Sequence, residues 1–223
     1  MTALLSTTYF GPIQWYQKLY RADHVEIEQW ESFQKQTYRN RCLIATSNGV
    51  QALTVPIEHS DSPLIKDLRL SDHGNWRHLH WNALQSAYGE SPFFEYYQDD
   101  LYPFFERPRV GASAGMKHWE FLLDFNEEIR QKICELIDIH PSVSYTKEYI
   151  PEEALLASHS ISEQNLSPFA SYRTAISPKH PQDDPDFTPK RYYQVYQEKH
   201  GFLPNLSILD LLFNMGPESI FYL

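Results

Sequence analysis

The residues best suited to chemistry form a short basic island, Lys35 to Arg41. The island holds three of the 19 lysines and arginines and no carboxylate, in a chain whose formal net charge is −10. Arginine binds phosphate and carboxylate groups through two parallel hydrogen bonds, and Asn40 supplies a further donor between Arg39 and Arg41. The island therefore predicts a binding site for an anion, with Lys35 in support. The alternative interpretation is a charged and solvated strand edge.

A histidine and an aspartate are the candidates for proton transfer. His80 lies one turn after Trp76 in a helical pattern, and the unperturbed pKa of histidine, about 6.5, suits a general base at neutral pH. Asp210 belongs to a narrow polar stripe, with Ser207 and Asn214, on an otherwise apolar helix. We expect His80 to be the general base and Asp210 to orient a neighbouring group or the acceptor. The alternatives are a histidine that fills the core and a stripe that faces solvent.

Composition and spacing argue against several other kinds of site. Cys42 and Cys134 are the only cysteines, which excludes a dense disulfide framework and a thiolate zinc site. His78 and His80 are not four residues apart, so they form no helical metal pair, and no metal site is predicted. The acidic net charge argues against nucleic-acid binding, which rests on neutralising phosphates. The sequence contains no Walker loop, dinucleotide fingerprint or nucleophile elbow, and it names no cofactor.

The predicted elements give a single mixed α/β domain over residues 1–223. Strands over 2–8 and 24–28 flank a helix over 13–19, which makes a β-α-β opening. Asn48-Gly49 predicts a hairpin between strands at 41–45 and 51–57. The remaining predicted elements are three helices over 75–88, 91–101 and 124–137, strands at 142–149 and 192–196, and a last helix capped by Asn205.

Residues 151–190 are predicted to form an irregular arm or lid. They contain six prolines and an acidic centre, Asp183-Asp184-Pro185-Asp186. Irregular segments of this length are often functional, and the alternative is an arm that packs against a partner subunit or is mobile. No stretch approaches 18 consecutive apolar residues, so no membrane span is predicted. The N-terminus has neither a basic leader nor a long apolar run, and we expect a cytoplasmic protein.

Four ordered blocks of the sequence resemble the WbqC-like protein family and together cover most of the chain. The blocks are Tyr9-Phe10-Gly11-Pro12 with Tyr16, Lys18 and Ala22-Asp23; Gln34-Lys35 and Tyr38-Arg39-Asn40-Arg41 with Leu53-Thr54-Val55-Pro56-Ile57; Asn75-Trp76-Arg77, His80, Gln85, Tyr88 and Ser91-Pro92-Phe93-Phe94; and Pro204-Asn205-Leu206-Ser207 with Asp210-Leu211-Leu212-Phe213-Asn214.

The resemblance implies a transferase that moves a glycyl, aminoacyl or acyl group onto an amino sugar in O-antigen or other surface-polysaccharide biosynthesis. The implied acceptor is a nucleotide-linked sugar, whose diphosphate would suit the basic island. The implied substrate-binding residues are Lys35, Arg39, Asn40, Arg41, Tyr9 and Asn205. One departure is a Gly-rich segment of the family, which is not found here; residues 151–190 stand in its region. The alternatives are a binding or scaffold protein that has kept the fold, and an enzyme that hydrolyses a sugar amide.

Overall fold

A four-stranded parallel sheet forms the centre of the computed structural model, which describes residues 1–59, 62–106, 119–152, 169–179 and 181–223. The strand order is β5-β2-β1-β6, with every pair parallel. The strands are β1 (Thr2–Ser6), β2 (His24–Glu28), β5 (Val143–Tyr145) and β6 (Phe169–Ser171). Helix α1 (Ile13–Arg21) connects β1 to β2, which confirms the predicted β-α-β opening within an α/β fold.

Strand β1 lies in the middle of the sheet and is buried on both faces. Ala3, Leu4 and Leu5 are fully buried, although consecutive residues of a strand point to opposite sides. A parallel sheet is normally covered on both faces, so its central strand reads as a continuous apolar run. This burial fixes the position of Ser6, the last residue of β1, and of the polar residues that follow it.

The predicted hairpin is also present, as a separate two-stranded antiparallel sheet. It consists of β3 (Arg41–Thr46) and β4 (Gly49–Thr54). The turn between them is Ser47-Asn48, and Gly49 has a φ of 105° where β4 begins. Only glycine adopts such a φ readily, which explains why the Asn-Gly signal was informative.

The helices beyond α1 carry the rest of the core. They are α2 (Trp76–Tyr88), α3 (Phe94–Leu101), α4 (Leu122–Leu136), the short α5 (Gln197–His200) and α6 (Ile208–Met215). Every helix in the described ranges is too short or too polar to cross a membrane.

One predicted helix cap belongs to a different helix. Ser207, not Asn205, caps α6, because its Oγ accepts a hydrogen bond from the Leu209 backbone N–H. Asn205 instead caps α1: its Oδ1 accepts from the Gln14 backbone N–H at 2.9 Å. The carbonyl of Leu206 accepts from Ile13 N at 3.0 Å. These bonds occupy the start of α1, where many α/β proteins bind phosphate.

Two predictions about the second half of the chain were wrong. Residues 192–196 form no strand, and Tyr192 and Gln194 are buried there by side-chain hydrogen bonds. The segment 151–190 is not irregular throughout, because it contains β6. A three-residue strand is too short for an alternating pattern to indicate it. The part of the predicted arm at 153–168 lies outside the described residues.

Candidate functional site

The strand order produces a switch point at the carboxyl end of β1. The chain leaves β1 for β2 on one side, whereas β6 pairs with β1 on the other. In open parallel sheets, ligands bind in the crevice outside the carboxyl ends of the strands at such a point. Ser6 and Ser171 are the last residues of the two strands that meet there.

A cleft of about 410 Å³ lies beside this switch point. Most of its lining follows the carboxyl ends of β2, β5 and β6, and comprises Trp30, Glu31, Ser32, Gln34, Arg39, Tyr149, Glu152, Arg173 and Thr174. A narrow recess shares Arg39 and Arg173 with the cleft and is also lined by Ser6, Thr7 and Thr8. The cleft is therefore built from loops that the parallel sheet holds at one edge.

Arg39 is the member of the basic island that lines the cleft. Its side chain is buried and forms two parallel hydrogen bonds with Glu31, from Nε at 2.8 Å and from Nη2. Nη2 also donates to Ser6 Oγ at 2.9 Å, which attaches the guanidinium to the end of β1. The hydrogen bonds of Arg39 to described side chains come from Nε and Nη2 and not from Nη1. Arg39 is thus fixed in position and keeps donors for a ligand.

A second buried arginine, Arg173, lines the same cleft. Its Nη2 donates to the carbonyl of Ile150 at 2.7 Å, and its Nε lies 3.2 Å from Glu152 Oε1. Nη1 lies 3.5 Å from Glu28 Oε2. Sequence reasoning missed Arg173, because no local pattern in the Pro-rich segment sets it apart from a solvated surface residue.

Glu28, at the end of β2, holds the loops of the cleft together. It is fully buried, and its Oε1 accepts hydrogen bonds from Trp30 N and Thr146 Oγ1, both at 2.8 Å. Its Oε2 accepts from Ile150 N at 2.9 Å. Buried carboxylates require such partners, because desolvation of an unpaired charge is costly. The available sequence signal was a carboxylate at the carboxyl end of a strand in which apolar and polar residues alternate.

The charged side chains that line the cleft are balanced in number: two arginines and two glutamates. Arg39 pairs with Glu31 and Arg173 with Glu152, while the fully buried Glu28 lies outside the lining, 3.5 Å from Arg173 Nη1. Each guanidinium is already paired, so the cleft offers little uncompensated positive charge to a phosphate. The arrangement instead suits a ligand that has hydroxyl groups and an amine, with a carboxylate or carbonyl for the remaining donors.

The other residues of the basic island lie elsewhere. Lys35 is exposed, and Arg41 donates to Thr54 Oγ1 of the hairpin at 2.9 Å. Asn40 is buried, and its Nδ2 donates to the carbonyl of Val55 at 2.8 Å. Strand alternation would place Arg39 and Arg41 on one face, but β3 begins only at Arg41. The structure therefore does not bring the island together as one anion site.

Comparison with known proteins now identifies the family. The sequence profile of the WbqC-like protein family matches residues 7–222, which is nearly the whole chain. The chain belongs to this family. It is also similar to the uncharacterized protein Rv1507c of Mycobacterium tuberculosis, with 27% identity over 207 residues, 86% of this chain and 83% of that protein. No solved structure matches. Membership of the WbqC-like family suggests involvement in polysaccharide or O-antigen biosynthesis in general.

Within this WbqC-like fold, His80 lies in the buried core. Its Nδ1 is 2.9 Å from Tyr9 Oη, and its ring also bonds to the backbone of Thr54. Burial lowers the pKa of His80 to about 4. Among the described residues, neither His80 nor Tyr9 lines the cleft. A neutral, buried histidine that does not line the cleft is better suited to a structural role than to proton transfer.

The burial of His80 predicts that the protein loses stability in acid. Between pH 6.5 and about 4 the unfolded chain binds a proton that folded His80 does not. The contribution of neutral His80 to the free energy of unfolding is therefore fully present above pH 6.5. This contribution falls by about 3 kcal/mol as the pH approaches 4. Urea unfolding across this pH range should show a flatter pH dependence for His80→Gln than for the wild type. The exposed control His78→Gln should keep the wild-type slope, and an unchanged slope in His80→Gln would contradict the account.

Asp210 belongs to a second buried network, away from the cleft. Its carboxylate accepts hydrogen bonds from Tyr88 Oη at 2.8 Å, Tyr192 Oη at 2.6 Å and Gln194 Nε2 at 3.0 Å. Burial raises the pKa of Asp210, and these three bonds partly offset the effect. Asn214 donates to the backbone carbonyl of Asp210 at 2.7 Å. The predicted polar stripe of the last helix is thus buried and mostly paired within the protein, although Asn214 Oδ1 has no partner among the described residues.

The described residues offer no evident nucleophile or metal centre. Burial raises the pKa of the Cys42 thiol to about 12 and that of Cys134 to about 11, so both remain protonated at neutral pH. Within the described ranges, no three His, Cys, Asp or Glu side chains come together as a metal site. The chemistry available in the cleft is hydrogen bonding, charge pairing and proton transfer to a carboxylate.

Proposed function

We propose that this WbqC-like protein transfers a glycyl, aminoacyl or acyl group to the amine of an amino sugar during surface-polysaccharide biosynthesis. The observation that carries the proposal is the switch-point cleft, in which Arg39 and Arg173 are paired with glutamates. The partly exposed carboxylate of Glu152 favours an amine-bearing acceptor, and the family membership favours a sugar. The remaining arginine donors suit the carboxylate or carbonyl oxygen of the transferred group.

Glu152 is the proposed proton acceptor. Its side chain is 40% exposed, whereas Oε1 is held by Ser171 Oγ at 2.8 Å and by Arg173. In the transfer step, the neutral amine nitrogen bonds to the carbonyl carbon of the donor, and the bond from that carbon to the leaving group breaks. The proton released from nitrogen passes to the Glu152 carboxylate and then to solvent. Arg39 stabilises the developing charge on the carbonyl oxygen.

A nucleotide attached to the acceptor would lie outside the cleft. Its phosphates would otherwise meet Glu31 and Glu152, the cleft carboxylates that already pair with Arg39 and Arg173. Lys35 and Arg41 remain as partly or fully exposed cations outside the cleft lining. We propose that they assist such a phosphate only through weak, salt-screened attraction.

A binding protein without catalysis is the second candidate. It is favoured by the position of His80, which leaves the cleft without the base expected from the sequence. The same cleft would then hold a sugar or a zwitterion without transferring a group. The distinction rests on product formation, because both candidates bind the ligand.

Mass spectrometry of reactions with glucosamine as acceptor tests the transferase directly. Donors should include glycyl-tRNA, glycine with ATP, and acyl-coenzyme A. We expect an N-acylated sugar as the product. The rate of its formation should fall by about a hundredfold or more in Glu152→Gln, because the proton acceptor is lost. Glu148→Gln is the matched control, because Glu148 is an exposed glutamate of the same loop. Binding of glucosamine without product from any donor would favour the binding protein.

A further inference from the structure

An aromatic side chain that lines the cleft is held in one orientation. Trp30 donates from Nε1 to the carbonyl of Thr146 at 3.0 Å, and its backbone N–H donates to Glu28. The ammonium of Lys66 lies 3.8 Å from the centre of the indole ring. Three contacts therefore fix the ring, although Trp30 belongs to a loop.

The position of Lys66 limits what the indole can bind. A cation over one face of an aromatic ring is attracted by its negative quadrupole. Lys66 already occupies that face, so a ligand in the cleft could stack only on the opposite face. A positively charged group placed there would be repelled by Lys66, whereas an uncharged ring would not.

The polar groups of the cleft suit the edge of a sugar ring. Glu31 and Glu152 are acceptors, and Arg39 and Arg173 are donors held beside them. Each sugar hydroxyl both donates and accepts a hydrogen bond, so adjacent hydroxyls can bridge a carboxylate and a guanidinium. The base of a nucleotide has no hydroxyl groups of this kind, and the phosphates of the nucleotide would face the carboxylates.

We propose that Trp30 is the platform for the sugar ring of the ligand, with the ring hydroxyls directed to the Glu31–Arg39 and Glu152–Arg173 pairs. This inference rests on the proposed function, and it assigns Trp30 as the residue that selects a sugar ring. Tyr149, which is half exposed and lies 5.4 Å from the Arg173 guanidinium, supplies a second aromatic wall. The amine of the sugar points away from the indole, toward the carboxylates.

Saturation-transfer NMR with UDP-N-acetylglucosamine tests the platform, since this probe carries both a sugar and a base. We expect the strongest saturation on the sugar-ring protons. Trp30→Leu should weaken binding of glucosamine by about tenfold, because the aromatic face is lost. Trp30→Phe keeps a smaller aromatic ring and should retain part of the affinity. This variant still tests the platform if Trp30→Leu folds poorly. Tyr96→Leu removes an exposed aromatic outside the cleft lining and should bind like the wild type.

Three results would overturn the inference: dominant saturation of the uracil protons, unchanged affinity for glucosamine in Trp30→Leu, or no binding of either probe at millimolar concentration. Failure of the proposed function has a different signature. A protein that binds glucosamine in a Trp30-dependent manner but forms no product is not the proposed transferase, yet it keeps the platform.

Discussion

Replacement of Asp210 by alanine is expected to lower the free energy of unfolding by about 3 to 5 kcal/mol. The Asp210 carboxylate is fully buried and is the acceptor for Tyr88, Tyr192 and Gln194. Alanine would leave all three donors without this partner in the core, and each unpaired buried donor costs about 1 to 3 kcal/mol. Urea unfolding at neutral pH measures the change.

The matched control for this prediction is Asp99→Ala, an exposed aspartate of α3. It should change the unfolding free energy by less than about 0.5 kcal/mol. Asp210→Asn should fall between the two, because it keeps the shape and one acceptor oxygen. If Asp210→Ala loses no more stability than the control, the network does not hold α6 to α2.

The second large effect is expected at a buried ion pair that attaches the Pro-rich segment to α1. Lys18 Nζ lies 2.7 Å from Asp184 Oδ2, and both side chains are only 3% exposed. Gln14 Nε2 also donates to Asp184, at 2.8 Å. Lys18→Met would leave the Asp184 carboxylate buried and unpaired, and we expect a loss of about 3 to 5 kcal/mol in unfolding free energy.

The double variant Lys18→Met/Asp184→Leu distinguishes the ion pair from simple packing. Replacement of a buried pair by apolar residues of similar volume is often close to neutral, so the double variant should recover most of the stability lost in Lys18→Met. Thermal and urea unfolding of both variants provide the measurement. A double variant less stable than either single one would show that the charges are not the cause.

This ion pair changes the interpretation of the predicted arm. Asp184 lies in its acidic centre, within the segment that the sequence predicted to be an irregular, Pro-rich arm or lid. In the structure, Asp184 is bound to α1 through Lys18. Gln17 of the same helix donates from Nε2 to the carbonyl of Asp186 at 3.1 Å. The described part of this segment is therefore a docked element of the fold.

Local patterns predicted the elements whose signals lie within a few residues. The alternation of β2 and the turn signal at Asn48-Gly49 depend only on neighbouring positions, and both elements are present. The strand β6 was missed because its three residues form a strand only by pairing with β1. The cap at Asn205 was assigned to the wrong helix, since its partner Gln14 is distant in the sequence.

The candidate site was predictable only in part for the same physical reason. The basic island indicated Arg39, because a compact basic run in an acidic chain is visible locally. Its pairing with Glu31 and the convergence of Arg173 and Glu152 arise from sheet order, which periodicity does not give. The sequence therefore could not show that the arginines would be neutralised. That finding argues against the basic island as the site for the diphosphate of a nucleotide-linked amino sugar.

The most direct test of the account is calorimetric titration of glucosamine into the wild type, Glu152→Gln and Arg41→Met. Glu152 lines the cleft, whereas Arg41 belongs to the same basic island as Arg39 but bonds to the hairpin. If the cleft binds the amino sugar, Glu152→Gln should weaken binding several-fold and Arg41→Met should leave it unchanged. Loss of binding in Arg41→Met with full binding in Glu152→Gln would contradict the account and move the ligand to the hairpin.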